Sequence, residues 1–191
     1  MLAIIITVMV LSLRVPPEHD FGSLIRTTGH GLATYLLSFL YIAIYWYHHH
    51  RLFHLVSRVS SGVLWANLLL LFCLSLLPFT TAWMAHTKLA HAPLFVYGLN
   101  LLVAAGATFV LQSMLIRQEG QDSALRRAIG RNLRGKLSPA LYLAGMLSAV
   151  LIGPPGRVGP YIALGCYAAV AVMWVIPNDR MERAVREADN G

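Results

Sequence analysis

Four histidines crowd one short stretch of the chain: His48, His49, His50 and His54. An imidazole carries protons near neutral pH and is the commonest metal ligand. His50 and His54 are four residues apart, which puts them on one face of a helix, a spacing that can hold a metal ion. Three readings fit the cluster. It can be an interfacial belt whose rings bond helix ends and water, a set of structural hydrogen bonds to another span, or a metal or haem site. Haem ligation needs histidines in facing pairs, and His30, His86 and His91 are the further candidates.

Other chemistry is thin. Every Asp and Glu lies outside the long apolar runs. A proton-coupled pump usually carries an acid inside the membrane, and an intramembrane hydrolase of the paired-aspartate kind needs two. The sequence has no glycine-rich phosphate loop and no nucleophile motif. The potassium filter Thr-Val-Gly-Tyr-Gly is absent too. No enzyme and no cofactor is expected. Cys73 and Cys166 sit inside apolar runs and read as small core residues.

The elements around these residues are membrane spans. Of 191 residues, 57% are apolar and 12% charged, against about 25% charged in a soluble domain. Residues 60–81, 92–115 and 158–177 carry no Asp, Glu, Lys or Arg. At about 1.5 Å per residue, each run is long enough to cross about 30 Å of hydrocarbon. The expected fold is all-α: a polytopic integral membrane protein with six transmembrane helices, residues 1–191 forming a single domain. The spans are Leu2–Leu13, Leu24 to Trp46 or Tyr47, Val63–Trp83, Leu94–Leu115, Pro139–Ile152 and Tyr161–Ile176. The first is short, stopped by Arg14 and Pro16-Pro17. Pro78 inside the third frees a backbone carbonyl that must find a partner in the bundle. Gly98, Ala104, Ala105, Gly106 and Ala107 give the fourth a small-residue face for close packing.

The net charge is +7, and its placement alternates. Arg51 and Arg58 fall between spans two and three. Arg117, Arg126, Arg127, Arg131, Arg134 and Lys136 occupy a basic loop at 116–137, and Arg180, Arg183 and Arg186 a charged tail at 178–191. The other loops hold only Arg14, Lys88 and Arg157, with Arg26 near the start of span two. The positive-inside rule then puts both termini in the cytoplasm. The basic balance is thus accounted for without nucleic acid, and contact of the basic loop with anionic lipid fits it.

In the first span, Ile4, Thr7, Val8 and Leu11 fall at i, i+3, i+4 and i+7, one helix face. Nearly every position there is apolar, so periodicity does not choose this face over another. Thr7 can equally bond its own backbone.

Three stretches resemble the endolysosomal potassium channel family in its prokaryotic six-span branch. They are Ala3 to Leu11 followed by Val15-Pro16, Tyr35 to Phe53, and Leu64-Trp65-Ala66-Asn67-Leu68 followed by Leu74 to Trp83. They occur in the family's order and cover roughly residues 3–85; beyond that the likeness lies in hydropathy and span count. The resemblance implies a weakly selective, potassium-permeable subunit of a homotetramer in a bacterial inner membrane. Its pore would be lined by the first span of each copy. It implies an apolar constriction at Ile4, Val8 and Leu11, with Thr7 as a polar layer. It further implies a structural polar network of His49 or His50 with Trp65 and Asn67. The family's pore helix opens on an Arg-x-x-x-Phe-Ser-Asp motif, which this chain does not contain; a first span short or cut at its N-terminus is the matching expectation. The alternatives are a haem- or metal-binding membrane protein using the interfacial histidines, and a non-conducting relative.

Overall fold

A computed structural model describes residues 2–13, 15, 20–54, 56, 59–120, 126, 133–152 and 158–176. These residues form seven helices: α1 (Leu2–Leu11), α2 (Phe21–His54), α3 (Ser61–Ser75), α4 (Leu77–His86), α5 (His91–Glu119), α6 (Leu133–Leu151) and α7 (Val158–Val175). The protein is all-helical, and α3 with α4 makes one broken span, so six helical runs result. Three of them, Ser61–His86, His91–Glu119 and Val158–Val175, are long and apolar enough to cross a membrane.

Local chemistry sets the ends. Asp20 accepts a hydrogen bond from the Gly22 N–H at 3.1 Å, covering an orphan donor at the start of α2. Arg51 and His54 fall in its last turn, where positive charge suits the helix dipole. At 34 residues α2 is about 51 Å long, well beyond a ~30 Å hydrocarbon core. The helix continues through the histidines to His54, past the end at Trp46 or Tyr47 that the sequence suggested for span two. Gly120 stops α5 at φ 98° and donates to the Ile116 carbonyl at 3.0 Å; a side chain would be strained there. Between α4 and α5, Lys88 and Leu89 both take positive φ, 50° and 63°. The Leu89 N–H returns to the Met84 carbonyl and its side chain is buried, so that buried anchor helps hold the left-handed turn.

The break at Leu76 follows from Pro78, which lies in the first turn of α4 and has no N–H to continue a ladder. The Cys73 carbonyl above the break accepts from the Leu76 N–H at 3.2 Å and from the Asn100 amide of α5 at 3.0 Å. The Asn100 amide thus ties α5 to the break, one residue before Leu74, whose carbonyl is the one that Pro78 leaves without its usual donor. In α6 the prediction from proline fails. The sequence suggested that this span starts at Pro139, yet the helix begins at Leu133 and carries Pro139 inside. Three bonds hold the extra turn. Ser138 Oγ donates to the Arg134 carbonyl at 2.8 Å, Arg134 Nη1 donates to the Ile176 carbonyl at 2.7 Å, and Trp174 Nε1 donates to Ser138 Oγ at 2.8 Å. Helix thus claims 116–119 and 133–137 of the expected loop. Of 120–132 only Gly120 and Arg126 are described, and the tail 178–191 lies outside the described residues.

The core sits where α2, α5, α6 and α7 meet. Tyr41, Tyr97, Tyr142 and Tyr167 are all buried there, with ring centroids 5.7–6.5 Å apart. The hydroxyls of Tyr41, Tyr97 and Tyr167 find partners. Tyr41 donates to the Tyr167 carbonyl at 2.7 Å and Tyr167 to the Leu94 carbonyl at 3.0 Å. The Tyr97 hydroxyl lies 3.0 Å from Ser38 Oγ, itself 2.7 Å from Thr81 Oγ1. In hydrocarbon such pairing is obligatory, because no water is at hand to satisfy a buried hydroxyl.

Candidate pore face and interfacial polar network

α1 is packed on one side only. Ile5 and Met9, one turn apart, are 6% and 1% exposed and join the core. They rest against α4 and α2, and Leu13 just beyond α1 lies 3.6 Å from a Cβ built on Gly31 of α2. The opposite side is bare. Ile4, Val8 and Leu11 are 67%, 51% and 81% exposed, and Thr7 is exposed beside them. Thr7 Oγ1 donates to the Ala3 and Ile4 carbonyls, each at 2.9 Å. With its proton held inward, the hydroxyl turns lone pairs outward, the polarity a cation wants. A groove of about 560 Å³ flanks this helix. Ile4, Ile5, Val8 and Ser12 form one wall, and Ser75, Pro78, Phe79 and Ala82 the other.

The polar cluster lies at the histidine end. His49 Nε2 is 2.8 Å from Asn67 Oδ1, tying α2 to α3; with the amide oxygen accepting, the ring donates. The same ring meets Phe53 at 4.6 Å. His50 and Trp65 are not drawn in. His50 is exposed, stacks on Trp46 at 5.5 Å and meets His54 edge to face at 4.9 Å. Trp65 is 73% exposed on the outer side of α3. At the other end His91 Nδ1 bonds the Ala149 carbonyl near the end of α6, and His30 is exposed. Among the described residues, no three metal-binding side chains gather.

Replacing Asn67 with alanine is expected to cost about 1–3 kcal/mol, because the half-buried His49 ring nitrogen then loses its partner. The loss appears as a lower melting temperature of the purified protein. Trp65→Ala, with no such bond, moves it little; equal losses would sink the network as described.

Two polar links escaped the sequence reading. Asn100 is the one amide between Leu94 and Leu111, and that isolation is the signal for its bond to the helix break. Ser38 and Thr81 are short hydroxyls inside apolar spans, and nothing in their spacing pairs α2 with α4.

The comparisons with known proteins extend this picture. The family model described as the endosomal/lysosomal potassium channel TMEM175 matches residues 1–78. A Chryseobacterium protein described as a potassium channel is 41% identical over 186 residues, 97% of this chain and 93% of its own length. The chain belongs to the TMEM175 family. The structure resembles the crystal structure of a lysosomal potassium-selective channel TMEM175 homolog from Chamaesiphon minutus. The TM-score is 0.69 with 26% identity, covering 92% of this chain and 90% of that one. The human TMEM175, described as an endosomal/lysosomal proton channel, is 26% identical over 181 residues, which is 93% of this chain but 33% of the human protein. Membership of TMEM175 makes the chain a multi-pass membrane protein of an ion channel family, not an enzyme.

Proposed function

We propose that this TMEM175 chain is one subunit of a potassium-permeable channel, with four copies of α1 around the conduction path. The observation that carries the reading is the division of α1. Ile5 and Met9 are fixed in the bundle, while Ile4, Thr7, Val8 and Leu11 stay largely exposed, Ile4 and Val8 along the groove beside α4. A ring of four such faces sets branched apolar side chains around a narrow axis. Water leaves such a constriction readily, and an ion then faces a desolvation barrier. Ile4, Val8 and Leu11 supply that barrier, and the outward lone pairs of Thr7 ease partial dehydration one turn away.

The naming of the Chryseobacterium relative as a potassium channel supports potassium as the ion. The histidines lend support by taking structural parts, His49 with Asn67 and His91 with the Ala149 carbonyl. The arginine pattern supports both termini in the cytoplasm, and the likeness to a bacterial channel supports a bacterial inner membrane.

The test is ion flux into liposomes carrying the purified protein. Potassium, sodium and protons are compared, protons because the human relative is described as a proton channel. Potassium flux above sodium flux is the expected result, with chemical cross-linking that ends at a tetramer. A folded protein that passes none of the three ions, or cross-links only to dimers, would overturn the reading.

A further inference from the structure

His49 and His91 are taken up by bonds to other helices, and His50 and His54 stand apart from that network. Trp46, His50 and His54 follow one another at four-residue intervals along α2 and form one exposed stripe. This spacing brings side chains of successive turns together on a helix face. The His50 ring lies nearly parallel to the Trp46 indole, 9° off at 5.5 Å, and meets the His54 ring at 82° and 4.9 Å. Arg51 turns to the next stripe, over the Tyr47 ring at 4.7 Å.

The separation of the two imidazoles suits a shared ion. A metal–nitrogen bond is about 2.0–2.1 Å and a ring nitrogen stands about 1.2 Å from its ring centre, so the ion lies about 3.2 Å from each centre. Two imidazoles on one tetrahedral ion then have centres about 5.2 Å apart, and two at a right angle about 4.5 Å. The observed 4.9 Å falls between these values. Both rings are exposed, so each can turn a nitrogen to the common point without disturbing the core. The place favours a cation as well. His54 is the last residue of α2, where carbonyls without intrahelical donors make the helix end negative.

We propose that His50 and His54 bind one divalent transition-metal ion of the kind that prefers imidazole, such as nickel, copper or zinc, with water in its open positions. Calcium and magnesium take oxygen ligands and are not held. Two protein ligands open to water make a weaker site than the four of a structural zinc centre. The ion joins two successive turns directly after His49, which ties α2 to α3 through Asn67, and so stiffens the helix end that carries this joint.

The indole beside His50 supplies the readout. An ion on His50 lies within about 9 Å of the Trp46 ring centre, and nickel(II), with its unpaired electrons, quenches an indole at that range. The tag-free full chain in detergent is titrated with nickel chloride, while tryptophan fluorescence and nickel retained on dialysis are followed. Saturable binding with loss of fluorescence is expected. His50→Ala and His54→Ala each weaken it by about tenfold or more, since losing even an outer-shell partner of a metal costs that much. Both positions are exposed, so the fold is kept. His30→Ala, at an exposed histidine nearer the other end of α2, leaves binding unchanged. Trp46→Phe retains the nickel but loses most of the quenching, which places the ion beside His50. Zinc chloride displaces the nickel and calcium chloride does not. Binding that survives both His50→Ala and His54→Ala, or that His30→Ala weakens equally, overturns the proposal, as does undiminished quenching in Trp46→Phe. The assay reads the ion itself and needs no open pore, so its failure and that of the channel reading are separable.

Discussion

Gly98→Ala is expected to destabilise the protein by about 2–3 kcal/mol, and Tyr167→Phe is expected to recover part of that loss. A Cβ on Gly98 would lie 2.2 Å from the Tyr167 hydroxyl, 2.7 Å from Met146 Cγ and 2.8 Å from Tyr167 Cζ. Met146 is flexible and can turn aside. Tyr167 cannot, because it is fully buried against Tyr97 and Tyr142 and its hydroxyl is bonded to the Leu94 carbonyl, one turn from Gly98 on α5. Overpacking of this kind costs about 1–3 kcal/mol, and the displaced hydroxyl bond about 1 more. Alanine returns up to about 1 through its better helix propensity. Removing the hydroxyl takes away the nearest clashing atom, so the double variant should lose less than the two singles summed, by about 0.5–3 kcal/mol. Gly145 gives the control. A Cβ there meets Tyr167 Cε1 at 2.5 Å, a ring atom that phenylalanine keeps, so Gly145→Ala should show no rescue by Tyr167→Phe. Unfolding in a denaturing detergent series measures the five variants against the unchanged protein. Rescue at both glycines, or at neither, would falsify this account of the α5–α6–α7 contact.

These glycines also show what the sequence could and could not reveal. The small-residue face on the fourth span was visible from Gly98 to Ala107, because close helix packing in lipid selects small side chains. That face divides in the structure: Gly98, Ala104 and Ala107 are buried, while Gly106 faces outward. The partner was not visible. Gly98 receives Tyr167, nearly seventy positions on, and no periodicity within either span links them. Span number and rough position were legible because hydrocarbon thickness dictates length and excludes charge. Pro139 misled for a local reason. Proline is at home in a first helical turn, and the bonds among Arg134, Ser138, Trp174 and Ile176 that carry α6 past it are tertiary. The face of α1 was the hardest case. Its residues are almost uniformly apolar, so only tertiary contact separates Ile5 and Met9 from Ile4, Val8 and Leu11. The family resemblance pointed to the same side before any packing was known.

Val8→Asn and Ile4→Asn are expected to raise resting potassium flux, with Ile5→Asn giving a different failure. In the proposed ring, four copies of residue 8 narrow the path, and an amide there holds water that valine expels. Every 1.4 kcal/mol taken from the desolvation barrier raises flux about tenfold, and four amides acting together should exceed that. The side chains at 4 and 8 are 67% and 51% exposed in the single subunit, so neither change buries a polar group in the bundle. Folding and assembly should survive. Ile5 is 6% exposed and packed into the core. Asparagine there leaves an unsatisfied amide in an apolar site, costing about 1–3 kcal/mol beyond the lost packing. It should lower the yield of folded protein without raising flux per folded tetramer. Flux into liposomes, normalised to the tetramer recovered from the same vesicles, separates these outcomes. Leak through Val8→Asn and Ile4→Asn with none through Ile5→Asn places the conduction path on the bare face of α1. Unchanged flux in both exposed-face variants, with tetramer intact, would remove Ile4 and Val8 from the constriction and move the search for the path to the groove wall formed by Ser75, Pro78 and Phe79.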